Sequence, residues 1–279
     1  MDHFWRNKTG IVTGAASGIG LALSKALSER GAHVWMADLD GEGVTRVASN
    51  LGTQAHPISL DVRDAGAVRN AVETVIADAG RIDFIFNNAG IGIGGEVHEF
   101  TTEHFDRIVD INIRGVVNGV VAASPIMVRQ RAGLIVNTAS LAGLAPTPLL
   151  TPYAMTKHAI IGLSSSLRAE AAQYGVQVSA LCPAAIETPM LDAGNPSDLP
   201  QVSWICDVRR YLQRLAGPPV SAERFVKAAL RGVERNRGLI IYPSRARLVA
   251  RLQRYMPGLV RAAGQRALKA ELASRPRDS

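Results

Sequence analysis

Cysteine is scarce: the 279 residues hold two, Cys182 and Cys206. Neither belongs to a Cys-x-x-Cys pair, so no disulfide framework or cysteine zinc site is expected. The six histidines are scattered, with no His-x-x-x-His pair, and no metal is expected. Long apolar runs are missing too. The N-terminal "MDHFWRNKTG" offers no stretch for a signal peptide. No run of about 18 uninterrupted apolar residues predicts a membrane-spanning helix. These absences point to a cytoplasmic, metal-free protein. Aromatics are few, at 5%, while glycine is frequent, at 26 residues, and 47% of the chain is hydrophobic. That balance suits a globular core with many tight turns and close helix–sheet contacts.

Acidic charge is missing from one end. Residues 245–279 carry nine Arg or Lys against two acids, so the formal net charge of +7 sits there and the remainder balances at zero. The rest of the chain alternates short β-rich runs with longer helical ones. "TGIVTG", "AHVWMAD", "AHPISLDV", "IDFIFN", "GLIVNTAS", "VQVSALCP" and "GLIIYP" read as strands. Helical stretches fall at about 19–30, 42–51, 64–79, 101–131, 152–174 and 221–235. This rhythm predicts one α/β domain over 1–244, a doubly wound Rossmann sheet of about seven parallel strands with helices on both faces. Residues 183–220 break it with six prolines, and a long irregular segment in a compact domain reads as a lid or binding loop. Residues 245–279 form a basic helical extension.

Two glycine clusters compete for a phosphate. "GIGIGG", Gly90 to Gly95, matches G-x-G-x-x-G as written. "TGAASGIG", Thr13 to Gly20, does not, but it follows the first strand and opens a helix whose free N–H groups would face an anion. Asp38 ends the next strand, eighteen residues beyond Gly20, where a carboxylate can bind both hydroxyls of an adenosine ribose. Leu39 and Ser17 offer no cation for a 2′-phosphate. NAD is therefore preferred over NADP, held at Gly14, Ser17, Gly18, Ile19, Gly20 and Asp38. The second cluster has no helix start behind it and reads as a pliable loop at a strand's C-terminal end.

Tyr153 and Lys157, four residues apart, share a helix face. A free phenol titrates near 10, and a neighbouring ammonium lowers that value. Ser140 ends the "LIVNTAS" strand, where a hydroxyl could hold a substrate oxygen. Asn112 falls inside the long fourth helix, where asparagine is disfavoured, and it is either solvent-facing or held there for a reason. A Ser–His–Asp hydrolase is a poor fit, because no Gly-x-Ser-x-Gly elbow is present.

Thr13 to Gly20, Asp61-Val62, Asn87-Asn88-Ala89-Gly90, Asn112, Ser140 and Tyr153-Ala154-Met155-Thr156-Lys157 occur in that order. Together they resemble the short-chain dehydrogenase/reductase family over roughly residues 6–243. The resemblance implies that Tyr153 is the acid/base and that Ser140 orients the substrate oxygen. It implies that Lys157 binds the nicotinamide ribose and lowers the tyrosine pKa, and that Asn112 holds a water of a proton relay. Asp61 and Val62 would line the adenine, and Asn88, Ala89 and Gly90 would back the cofactor. Ile186 and Thr188 would hold the carboxamide. Pro183-Ala184 departs from the family's usual Pro-Gly. Homodimers or homotetramers are common in the family.

"SLAGLAP" after Ser140 and a lid around Met190, Leu191, Trp204 and Tyr211 make mostly apolar walls. They favour a hydrophobic alcohol or ketone as substrate. The expected activity is NAD-dependent hydride transfer, and its rival is a non-catalytic dinucleotide-binding or membrane-docked scaffold. In the extension, Leu248, Leu252, Tyr255, Met256 and Leu259 share a face and Pro257 interrupts the helix. It is expected to pack over the site or on another subunit, with peripheral membrane contact as the alternative. Nucleic-acid binding is not expected, since the tail has one aromatic and no recognition motif.

Overall fold

A computed structural model describes residues 3–275. Seven strands form one parallel sheet. They are β1 (Thr9–Thr13), β2 (His33–Asp38), β3 (Ala55–Ser59), β4 (Phe84–Asn87), β5 (Gly133–Thr138), β6 (Val176–Pro183) and, after a short excursion, β9 (Leu239–Tyr242). Their order is β3-β2-β1-β4-β5-β6-β9. The strand order reverses between β1 and β4, which leaves a crevice at the C-terminal ends of those two strands.

Successive strand side chains point to opposite faces, and the two cores divide accordingly. Val12, Phe84 and Phe86 enter one core with Leu23 and Phe225. Ile11 and Ile85 enter the other with Val72, Val116 and Ile160. The first core is covered by α1 (Gly18–Ser28) and α8 (Ala222–Glu234). The second is covered by α3 (Ala65–Ala79), α5 (Gly115–Gln130) and α6 (Thr151–Ala171). The central strand β1 is buried at every residue, whereas the edge strand β3 is half-exposed and carries Pro57. A ladder tolerates proline at an edge because one side has no partner to donate to.

Local chemistry starts the helices. Asp40 accepts from the Gly43 N–H at the start of α2 (Gly41–Ser49), and Asp64 accepts from the Gly66 and Ala67 N–H groups at the start of α3. Each satisfies donors that the helix leaves unpaired. The fourth helical region is three pieces: α4 (Thr102–Val109), a π-helical turn (Asp110–Arg114) and α5. On length and composition, Thr102–Gln130 could cross a membrane. Here Gly115, Val116, Gly119, Val120, Ala123 and Met127 make it a core helix.

The segment 183–220 is more ordered than its prolines suggest. It holds β7 (Ile186–Glu187), which pairs in parallel with β8 (Val220–Ser221), and α7 (Val208–Ala216) capped by Asp207. The nine-residue helix, with three arginines, is too short to stand out between Pro200 and Pro218. The extension folds as α9 (Ser244–Tyr255) and α10 (Pro257–Leu272), with Pro257 at the first position of α10. Proline fits there because the first helical N–H has no partner anyway.

Candidate active site

Two cavities meet at the C-terminal edge of the sheet. The first, about 340 Å³, runs along the crevice. Gly14, Ser17, Gly18 and Ile19 line one side of it, and Asp38, Leu39, Asp61 and Val62 line its far end. Asn88, Ala89, Gly90 and Thr188 line the middle, with Tyr153 and Lys157 at the near end. Gly20 and Ile186 are not on this wall. Gly20 packs under the turn, against the Gly14 carbonyl, and Ile186 lines the second cavity.

The turn is built for a close approach. Gly14 has φ +67° and Gly18 +54°, conformations that side chains resist. A Cβ on Gly14 would lie 2.9 Å from the Ala89 Cα. Thr13, which opens the motif, ties the turn to the neighbouring strand β4, a role the motif does not assign. Its hydroxyl accepts from the Asn88 and Ala89 N–H groups, at 2.9 and 3.0 Å, and donates to the Phe86 carbonyl. Asn88 returns an Nδ2 bond to the Thr13 carbonyl at 3.0 Å. At the far end the Asp38 carboxylate accepts from the Ala16 N–H at 2.9 Å and the Asp40 N–H at 3.1 Å. Glycines without clashing side chains, a helix start and a strand-end carboxylate suit a dinucleotide. Arg63 and Arg107 also line this end, but each is engaged, Arg63 with Asp61 and Arg107 with Asp198. No local pattern in the sequence marks that pairing, because Arg107 and Asp198 are 91 residues apart.

The second cavity is larger, about 410 Å³, and no charged side chain lines it. Ser140, Leu141, Ala142, Ala145 and Pro146 form one wall. Met190, Leu191, Val208, Leu212 and Leu215 form another, and Val249, Leu252, Val260 and Ala263 of α9 and α10 close it. The extension therefore folds over the site. Trp204 and Tyr211, read as lid residues, do not line the cavity. Tyr211 is wholly buried in a small core with Leu149 and Cys206, because α7 turns it inward. The "GIGIGG" loop divides its duties: Gly90 lines the first cavity, while Gly92 and Gly94 line the second. Asn195 pins Gly94 through both backbone groups, at 2.8 and 2.9 Å.

Tyr153 lines both cavities. Burial pushes its phenol above the ordinary tyrosine value, and the Ser140 hydroxyl beside it acts in the opposite direction. Ser140 itself is half-capped: its hydroxyl accepts from the Ala142 N–H at 3.1 Å. Lys157 lies over the Tyr153 ring. Its Nζ donates to the Thr138 carbonyl at 2.9 Å and lies 5.3 Å from the Tyr153 ring centroid. Burial is the largest influence on the Tyr153 phenol and raises its pKa. Burial also pushes Lys157 down to about 8 and the neighbouring Cys182 thiol up to about 12.

Asn112 is not solvent-facing. It sits fully buried in the π turn, where the extra backbone residue re-aims a side chain. Its Oδ1 accepts from the Ile91 N–H at 2.9 Å. Its Nδ2 donates to the Ile91 carbonyl at 3.0 Å and to the Thr156 hydroxyl at 3.1 Å. Thr156 in turn donates to the Tyr153 carbonyl. Both amide protons are committed, so the side chain holds the loop after β4 against the helix that bears Tyr153.

The cost of burying Lys157 is measurable. The folded lysine titrates near 8 instead of 10.5, so between these values the unfolded chain binds more protons. Stability then rises with pH across that window, and the full penalty is present below about pH 8. Lys157→Met should stabilise the dinucleotide-free protein at pH 7 by up to about 3 kcal/mol, less what the orphaned Thr138 carbonyl costs. Urea unfolding at pH 7 and pH 10 tests this. The gap between variant and wild type should shrink at the higher pH, and a gap independent of pH would contradict the assignment.

A parallel sheet with a glycine turn at its switch point, and Tyr153, Ser140 and Lys157 gathered beside it, has the architecture of a dinucleotide-binding oxidoreductase. The short chain dehydrogenase family model matches residues 8–198, and the chain belongs to that family. Oxidoreductase UcpA of Salmonella typhimurium is 36% identical over 219 residues, which span 76% of this chain and 83% of that protein. The 3-oxoacyl-[acyl-carrier-protein] reductase FabG of Thermotoga maritima is 35% identical over 188 residues, 66% of this chain and 76% of that protein. Among solved structures, a 3-ketoacyl-(acyl-carrier-protein) reductase from Brucella melitensis complexed with NADH superposes with TM-score 0.77 at 28% identity. It covers 87% of this chain and 99% of its own. A short chain dehydrogenase/reductase from Burkholderia phymatum in complex with NAD gives 0.78 at 27% identity, covering 99% and 98%.

Proposed function

We propose that the protein is an NAD-dependent alcohol dehydrogenase or ketone reductase for a secondary alcohol or ketone on a hydrophobic skeleton. The observation that carries this reading is the position of Tyr153, whose side chain lines both the dinucleotide crevice and the uncharged cavity. When bound, the nicotinamide dinucleotide supplies or accepts the hydride. The chain's own residues do the rest. Gly14, Gly18 and the start of α1 would hold the pyrophosphate, and Asp38 the adenosine ribose. Ser140 holds the substrate oxygen near Tyr153, whose phenol exchanges that oxygen's proton. Lys157 would bind the nicotinamide ribose, and Asn112 keeps the loop and α6 in register. The apolar walls select the substrate body and exclude water. Ketoacyl groups, named for two of the similar proteins, are ketones of this kind.

A panel of alcohols monitored by NADH absorbance, run with NAD and NADP in parallel, tests the reading. Turnover confined to small polar sugars would overturn the substrate class. The NAD preference rests on the Asp38 charge. Asp38→Asn keeps an acceptor for the Ala16 N–H and removes the repulsion toward a 2′-phosphate. The ratio of kcat/KM for NADP to that for NAD should rise by about 10- to 100-fold. An unchanged ratio would remove Asp38 as the discriminator.

A further inference from the structure

The α9–α10 corner is dressed for a different surface. Every residue from Arg254 to Leu259 is exposed. Among them Tyr255 is 75%, Met256 51% and Leu259 55% exposed, and Leu248 on α9 is 58% exposed. Large apolar side chains on a short amphipathic hairpin are normally turned inward. Here the inward face is already occupied, because Leu252, Val260 and Ala263 line the substrate cavity. Leu259 does both: it lines that cavity and faces outward. The corner is thus an exposed apolar tip on the helices that close the cavity.

The exposed charge of the described extension has one sign. The only acid of the extension among the described residues, Glu271, is fully buried and bound by Arg210 and Arg214 at 2.6 and 2.8 Å. Arg275 turns inward to Glu96 at 3.0 Å. Arg251, Arg254, Arg261, Arg266 and Lys269 remain exposed, and none pairs with a carboxylate among the described residues. Arg254 lies over the Tyr255 ring, 5.8 Å from its centroid, so the aromatic and the cation present themselves together. A second copy of the chain is a poor occupant, since a two-fold contact at this corner would set arginines against arginines. An anionic bilayer complements both features: the apolar tip enters the acyl boundary while the arginines meet phosphates.

We propose that the α9–α10 corner docks on anionic lipid surfaces through Tyr255, Met256 and Leu259, ringed by Arg251, Arg254 and Arg261, so that the cavity wall shared by Leu259 lies against the bilayer. The substrate is then a membrane-dissolved lipophilic alcohol or ketone, a step that rests on the function proposed above. The docking itself needs no turnover, so the two can fail separately. The full-length protein is sedimented with phosphatidylcholine vesicles, with and without about 30% phosphatidylglycerol. It should sediment with the anionic vesicles only, and 0.5 M salt should weaken binding, as screening requires (the Debye length falls to about 4 Å there). Tyr255→Ser with Met256→Ser should weaken binding at least tenfold without changing Tm. Replacing Arg251, Arg254 and Arg261 by Gln should cost about fivefold each. Failure to sediment with anionic vesicles overturns the proposal, as does binding indifferent to both sets of changes. Dissociation of an oligomer by Tyr255→Ser with Met256→Ser, seen by light scattering, would also overturn it and assign the corner to a second copy.

Discussion

Tyr153→Phe should lower kcat by about a thousandfold while leaving dinucleotide affinity within about twofold, the scale on which a positioned acid/base contributes. The substitution keeps the ring, which packs on the small cluster of Ile93, Ile108 and Leu199, and removes only the phenol oxygen. Unfolding stability should therefore change little, and loss of rate cannot be assigned to misfolding. The pH profile sharpens the test. Taking a proton from an alcohol needs the phenolate, and burial pushes the Tyr153 pKa up. Oxidation should thus accelerate toward alkaline pH, while ketone reduction, which needs the phenol, should decline. The residual rate of the variant should lose this limb. If turnover and its pH dependence survive, the proton passes through another group. If the wild type binds dinucleotide but turns over nothing, the non-catalytic scaffold is the better description.

Gly20→Ala should abolish dinucleotide binding detectable by titration, lower kcat/KM at least ~100-fold and destabilise the fold by about 1–3 kcal/mol. A Cβ there would lie 1.9 Å from the Gly14 carbonyl oxygen and 2.8 Å from the Asn88 amide nitrogen. Neither neighbour can yield freely. The carbonyl belongs to the turn itself, and Asn88 is already bonded to Thr13. The change must therefore push apart the two strand ends that form the crevice. Gly162→Ala is the control. It lies in α6 with nothing within 4 Å of an added Cβ, and alanine there should be neutral or stabilising by roughly 0.5–1 kcal/mol. Binding that survives Gly20→Ala would move the pyrophosphate off this turn.

The "GIGIGG" stretch illustrates what the sequence could and could not carry. As a written pattern it outranks "TGAASGIG". The strand before, the helix after and Asp38 across the sheet all favour the first cluster, and these are local features. The structure then splits "GIGIGG" between two cavities and fastens Gly94 to Asn195, 101 residues away. The helix at 208–216 was hidden between prolines, and Asn112 looked misplaced until the π turn gave it three partners. For Gly94 and Asn112 the missing information was a neighbour remote in the chain.

The order of the sheet strands and of the helices that flank them, the glycine turn after the first strand and the Tyr153–Lys157 spacing were determined by the sequence alone. Hydrophobic period, turn residues and i, i+4 geometry act over a few residues. The tertiary structure decided where those groups point and what surrounds them. It sent the Lys157 ammonium to Thr138, set Tyr153 at the junction of two cavities and laid α9 and α10 against the larger one. Burial and long-range pairing set these outcomes, and both depend on segments that meet only once the sheet is wound.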